Sequence, residues 1–128
     1  MATKHIEIAH KFFQEGIQIV DNDPIQASEK LYKAAEEAVK ALAIINNLDK
    51  ILTRVKNRGR WTVTDLENVI DTITETYGEE IETSWDAAWR LHVFGFHEAM
   101  LTPEEVKTAI PHIHKLLQKL PQRSTQTT

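Results

Sequence analysis

Residues 27–42 of the chain read ASEKLYKAAEEAVKAL. Apolar side chains recur in this stretch at intervals of three and four, which is the spacing of one face of an α-helix. They are Ala27, Leu31, Ala34, Ala38 and Leu42. The alanines are small enough to let a neighbouring helix come close, because the distance between packed helices depends on the side chains at their contact. The stretch therefore predicts a long helix that packs tightly against others, and an all-α fold around it.

Proline and glycine mark where the predicted helices begin and end. A first apolar face stops before Asp23, which supplies an N-cap for the second helix, and Pro24 takes the first helical position. The pattern of the second helix runs on to Gly59, a typical helix stop. Residues 64–67 read as a capping box that opens a third helix, and this helix ends before Gly78.

The last third of the sequence predicts two further helices. A fourth follows Gly78, and a fifth opens at residues 102–105, where threonine, proline and glutamate have the order of a capping box. Pro111 interrupts the fifth helix, and a proline in that position predicts a kink. Residues 1–121 are thus expected to form one domain of five helices, and residues 122–128 a disordered polar tail.

Composition limits the classes of function that the chain can have. Its 128 residues are 41% hydrophobic, enough for one core, and 15 basic residues against 19 acidic ones give a net charge of −4. This balance argues against a broadly basic nucleic-acid binder. Cysteine is absent, which excludes disulfides and thiolate chemistry and favours a cytoplasmic protein. Without an apolar run of roughly 20 residues, no membrane span is expected.

Six histidines do not have the spacing of known helical metal motifs. His5 and His10 are five residues apart, as are His92 and His97, and the last two histidines are two apart. The four-residue spacing of helical zinc sites does not occur among them. We therefore expect no metal and no other cofactor.

Arg90 and His97 are the candidate catalytic residues. Seven positions separate them, close to two turns of an α-helix, so their side chains are expected on one stripe. Arginine can hold a phosphate and histidine can move the proton of a ribose hydroxyl, which together would cleave RNA without metal. Alternatively, Arg90 pairs with Asp86 and His97 belongs to an interface.

Two sets of residues are candidates for ligand binding. On the fourth helix Trp85 and Trp89 lie one turn apart, and His92 lies on the same side as a core or ligand-binding residue. Gly95 on this helix predicts the close approach of another helix or a ligand. The second set surrounds Trp61 with cations that suit either a nucleic-acid strand or a helix C-terminus. These cations are Arg54, Lys56, Arg58 and Arg60.

Residues 27–42 and the later stretch WRLHVFGFHE at residues 89–98 resemble the archaeal PaREP family of small paralogous proteins, within the HEPN-like superfamily. The resemblance implies an up-and-down bundle of four core helices with an additional C-terminal helix, often homodimeric. Active HEPN-like members carry an arginine followed, after four to six residues, by a histidine, and Arg90 and His97 match the outer limit. A polar residue often follows the arginine in those members, whereas Leu91 stands here.

Two functions follow from these observations. The first is a non-catalytic dimeric binding module whose ligand is a protein encoded elsewhere, a nucleotide or RNA. The second is a metal-independent, toxin-like ribonuclease in which Arg90 holds the scissile phosphate and His97 acts as general base or acid.

Overall fold

The structure is a computed structural model that describes residues 1–121, so the predicted tail at 122–128 lies outside the described residues. Within the described part the chain is entirely helical and has no β-strand. There are six α-helices and one π-helical segment, Leu91–His97, called the π segment below. The α-helices are α1 (Ala2–Ile19), α2 (Pro24–Ile45), α3 (Asp49–Arg58), α4 (Val63–Tyr77), α5 (Glu80–Arg90) and α6 (Pro103–Gln118).

Helix α2, which contains residues 27–42, is the central element of the fold. It packs against all five other α-helices and the π segment. Its six alanines are all fully buried, which allows neighbours to approach on several sides: Ala27, Ala34, Ala35, Ala38, Ala41 and Ala43. The prediction of a tightly packed helix in an all-α fold is confirmed.

The predicted second helix is in fact two helices, so the count of five is wrong. The chain leaves the helical path after Ile45 and re-enters it at Asp49. Asn47 adopts a left-handed conformation with φ 56°, which an asparagine tolerates better than most residues. Asn46 holds the break, because its side-chain amide donates to Leu42 O and to the Tyr77 hydroxyl. The apolar pattern continues across the break, which is why periodicity alone did not reveal it.

Several helix ends lie where the sequence predicts them, and one does not. Gly59 ends α3 with φ 87°, and Thr102 and Glu105 form the capping box that opens α6. Helix α4 begins earlier than predicted, because its capping box joins Thr62 and Asp65 rather than residues 64–67. Pro111 lies inside α6 without ending it; the kink stays a prediction.

The π segment continues α5 without a break and brings the chain against α2. A Cβ added at Gly95 would lie 2.5 Å from the Ser28 Cβ and closer still to its hydroxyl oxygen. The predicted close approach at Gly95 is therefore confirmed, and α2 is the element that approaches. Two residues after the segment, Ala99 has φ 53°, and the chain then turns toward α6.

Candidate functional site

The π segment changes which side chains share a face. Its hydrogen bonds join residues five apart, as between Glu98 N and Val93 O at 2.9 Å, so each turn holds more residues than an α-turn. Residues at i and i+5, which diverge on an α-helix, therefore become neighbours. His92 and His97 have this spacing, and π-helical turns occur frequently at functional sites.

His92 and His97 meet through their Nε2 atoms, which are 3.2 Å apart. The other ring nitrogen of His92, Nδ1, lies 2.9 Å from Oε1 of Glu29 on α2. Because an ionised carboxylate only accepts hydrogen bonds, Nδ1 of His92 donates. A neutral His92 ring then presents its Nε2 lone pair to His97, whose side chain is exposed. We call these three residues the His–His–Glu cluster.

Aromatic rings surround this cluster. Tyr32 stacks on His92 with ring centroids 4.2 Å apart, the Trp89 ring centroid lies 5.3 Å from that of His92, and the Phe96 ring centroid lies 5.2 Å from that of His97. Burial raises the pKa of the Tyr32 hydroxyl, and nearby carboxylates, including Glu29, raise it further. Tyr32 is therefore a neutral packing partner that fixes the plane of the His92 ring.

Arg90 has other neighbours than His97. Its guanidinium lies over the Phe94 ring at 5.4 Å, and it lines a depression of about 240 Å³ between α5 and α6. It forms no salt bridge with Asp86, and no hydrogen bond joins it to His97 within residues 1–121. The expectation of a shared stripe assumed α-helical geometry, which the π segment does not have. Within one chain, the two candidate catalytic residues therefore contact different side chains.

The two tryptophans of α5 differ in accessibility. Trp85 is 4% exposed and packs against Tyr32, with ring centroids 5.9 Å apart. Its indole Nε1 is buried without a hydrogen-bond partner in the described part of the chain. Trp89 is half-buried and edges onto Tyr32. Of the two predicted ligand-binding tryptophans, Trp89 is the one that a ligand can reach directly.

One of the basic residues near Trp61 forms a salt bridge within the fold, and the others are exposed. Arg58 forms a 2.5 Å salt bridge with Asp65, which is 2% exposed and caps α4 through Thr62. Trp61 is half-buried against the core. The other cations of the patch, Arg54, Lys56 and Arg60, are exposed and have no ion-pair partner among residues 1–121.

Burial and hydrogen bonding shift the Asp65 pKa in opposite directions. Burial raises the pKa of this carboxyl, but hydrogen bonds from the Thr62 backbone, Arg58 and the Thr62 hydroxyl, with the charge of Arg58, lower it by more. The net pKa lies below the ordinary value, so Asp65 is ionised at neutral pH. A charged acceptor at this helix start stabilises α4.

Two absences bear on the sequence interpretation. Residues 1–121 contain no group of three or more histidine, cysteine, aspartate or glutamate side chains that could hold a metal ion. None of the described helices is both long and apolar enough to cross a bilayer.

Sequence reasoning missed two members of the site, Glu29 and Tyr32. Both lie on α2, more than fifty positions from His92, and nothing in their local pattern distinguishes them from other residues of an amphipathic helix. The five-residue spacing of His92 and His97 was visible, but it becomes meaningful only in π-helical geometry.

These features define a small all-α protein with a central alanine-rich helix and a π-helical turn at its polar site. The model of the archaeal PaREP1/PaREP8 family matches residues 4–117, and the chain belongs to that family. A comparison with curated proteins finds no match.

Two solved structures are similar to the chain. A crystal structure of a protein from Sulfolobus solfataricus is 41% identical, covers 88% of this chain and 92% of its own, and has a TM-score of 0.82. A solution structure of the same structural-genomics target is also 41% identical, covers 87% of this chain and 86% of its own, and has a TM-score of 0.75. The fold of the described residues is therefore similar to that of two experimental structures.

Proposed function

We propose that the chain is a non-catalytic, dimeric binding module with a HEPN-like arrangement of four core helices. The central position of α2 and its packing against α1, α4 and α5, with α6 as the additional C-terminal helix, support this arrangement. Cysteine is absent, and a cytoplasmic location goes with the proposal.

The observation that carries the proposal is an apolar surface at the π segment. Phe94 is 41% exposed and Met100 is 65% exposed, and the two residues are joined by a hydrogen bond from Met100 N to Phe94 O. Aromatic and methionine side chains are enriched in protein interfaces, and Arg90, whose guanidinium lies over the Phe94 ring, adds a third residue type typical of such surfaces. A second copy of the chain is the partner we propose for this surface.

A further ligand of the dimer is more consistent with protein than with RNA. The net charge of −4 opposes RNA binding, Arg58 is paired with Asp65, and Trp61 is half-buried, which leaves three exposed cations to contact phosphates. RNA or nucleotide binding remains an outcome of the test, since Arg54, Lys56 and Arg60 are accessible.

Sedimentation equilibrium of the full chain tests the dimer. The double variant Phe94→Ser with Met100→Ser is expected to be a monomer at concentrations where the unchanged protein is a dimer. Val63→Ser removes an apolar side chain of similar exposure on α4 and should leave association unchanged. A monomeric parent protein, or dimers that tolerate the double substitution, would contradict the proposal.

Fluorescence anisotropy with labelled single-stranded RNA decides the ligand class, and tight RNA binding would overturn the preference for protein.

A metal-independent ribonuclease is the alternative, and one observation favours it. His97 is exposed, and its ring is held by His92, which is itself oriented by Glu29; this resembles the way catalytic histidines are oriented. Catalysis would also require Arg90, which a second copy could bring opposite His97. Cleavage of single-stranded RNA in the presence of a chelator tests the alternative. Cleavage by the unchanged protein that is lost in both Arg90→Ala and His97→Ala would establish the ribonuclease and contradict the non-catalytic binding module.

A further inference from the structure

We propose that His92 and His97 form an open two-histidine site for a divalent transition-metal ion such as Zn²⁺. The first support is the distance between the two Nε2 atoms, 3.2 Å. Zinc binds histidine nitrogen at about 2.0–2.1 Å, so two nitrogens that share a tetrahedral ion stand about 3.3 Å apart. The two Nε2 atoms are thus already separated by about the distance that a shared ion requires.

The second support is the partner of His92. Histidines that bind metal usually donate their other ring N–H to a carboxylate or carbonyl, which fixes the tautomer and strengthens the ligand. Nδ1 of His92 has this partner in Glu29 at 2.9 Å. With Nδ1 as donor, the Nε2 lone pair of the neutral ring faces His97. An ion can therefore replace the proton that otherwise joins the two Nε2 atoms.

The charges around the two histidines favour a cation. Glu29 contacts Nδ1 of His92, and the charges of Glu36 and Glu67 help to raise the pKa of the neighbouring Tyr32 hydroxyl. Lys33 offsets part of this charge, at 3.9 Å from the second Glu29 oxygen. His97 is exposed, so an ion can enter from solvent without rearrangement of the core.

The site offers two protein ligands, because no third metal-binding side chain is gathered there in residues 1–121. Water would complete the coordination, as in sites that keep open positions. Imidazole nitrogen suits zinc, copper and nickel, whereas magnesium and calcium require oxygen ligands. The inference does not depend on the proposed binding function, since it concerns side chains within one chain.

Calorimetric titration of untagged protein with Zn²⁺ tests the site. His97→Gln and His92→Gln each remove a metal ligand. Each is expected to weaken zinc binding at least about 10–100-fold, which is the usual effect of removing a residue that only orients a ligand. Glu29→Ala should weaken it about 10–100-fold while both ligands remain. His5→Gln is the matched control, because His5 is also paired with a carboxylate, Glu37 at 2.7 Å, but lies on α1, which does not pack against the π segment. Equal loss in His5→Gln, or unchanged affinity in His97→Gln, would overturn the proposal.

Nuclear magnetic resonance of the unchanged protein gives a second test that does not rely on a variant's folding. Zn²⁺ should shift the Nε2 resonances of His92 and His97 together and leave His5 and His114 in place. Shifts confined to other histidines would refute the site. Magnesium is the negative probe, and an equal response to Mg²⁺ would also refute it.

Discussion

At the scale of single residues, Gly95 decides how closely the π segment approaches α2. The Ser28 side chain lies opposite it, and its hydroxyl donates to the Pro24 carbonyl oxygen one turn earlier, which holds it in place. Both residues are buried. Close packing here keeps His92 next to Glu29, because the two contacts join the same pair of elements.

Gly95→Ala is expected to lower the free energy of unfolding by about 1–3 kcal/mol, since the added Cβ overlaps the Ser28 side chain in a packed region. Urea denaturation followed by circular dichroism measures the change. In a Ser28→Gly background the same substitution should cost less, because the overlapping atoms are gone. Equal costs in the two backgrounds would show that the contact does not limit packing at Gly95.

The Asp65 carboxylate is buried and accepts three hydrogen bonds, one of which is also its salt bridge with Arg58. Asp65→Asn should lower the free energy of unfolding at pH 7 by about 2 kcal/mol, because hydrogen bonds to a charged group are lost. Asp71→Asn, at an exposed aspartate of the same helix, is the control and should stay within about 0.5 kcal/mol.

The lowered pKa of Asp65 also predicts a direction of pH dependence. A carboxyl whose folded pKa lies below its unfolded pKa, about 3.9, contributes stability above that value and loses it as the pH falls through the folded pKa. The unchanged protein should therefore lose stability below about pH 4, and Asp65→Asn should flatten that part of the profile. A variant as steep as the parent would argue against a role for Asp65 ionisation.

At the scale of elements, the exit of the π segment contains a residue in an unfavourable conformation. Ala99 has φ 53°, a left-handed conformation that costs most residues roughly 1–2 kcal/mol and costs glycine little. It is exposed, so no packing is lost when its methyl group is removed. The turn formed at Ala99 allows α5 and α6 to pack together.

Ala99→Gly is expected to raise the free energy of unfolding by about 1 kcal/mol. Ala87→Gly within α5 is the matched control, and it should lower stability by about the same amount because glycine is a poor helix former. Thermal and urea unfolding of both variants measure the two changes. A loss of stability in Ala99→Gly would mean that this residue does not hold the left-handed conformation in solution.

At the scale of the whole molecule, the dimer proposed above, with Phe94 and Met100 at its interface, would couple stability to protein concentration. A ligand or partner that binds only the folded state stabilises it by mass action, and a second copy of the chain acts in the same way. The Tm of the unchanged protein should therefore rise with protein concentration, and the Tm of the Phe94→Ser, Met100→Ser variant should not. Scanning calorimetry over a hundred-fold range of concentration measures this difference. A Tm independent of concentration in the parent would argue for a monomer.

Local sequence was sufficient for most elements of the fold. The 3–4 spacing of residues 27–42 predicted the central helix, and Asp23, Gly59 and Thr102 predicted three helix ends, because caps depend on residues close in sequence. The break at Asn47 was missed, since the apolar pattern continues through it and the cost of the turn is offset by contacts to Leu42 and Tyr77.

The candidate site depends on the tertiary structure. The sequence determined which side chains are present and that Gly95 needs a close neighbour. It did not determine that residues 91–97 form a π-helix, because this geometry follows from packing against α2 rather than from local preference. That change of helix type joins His97 to His92. Glu29 enters the site only because the fold brings α2 beside the π segment.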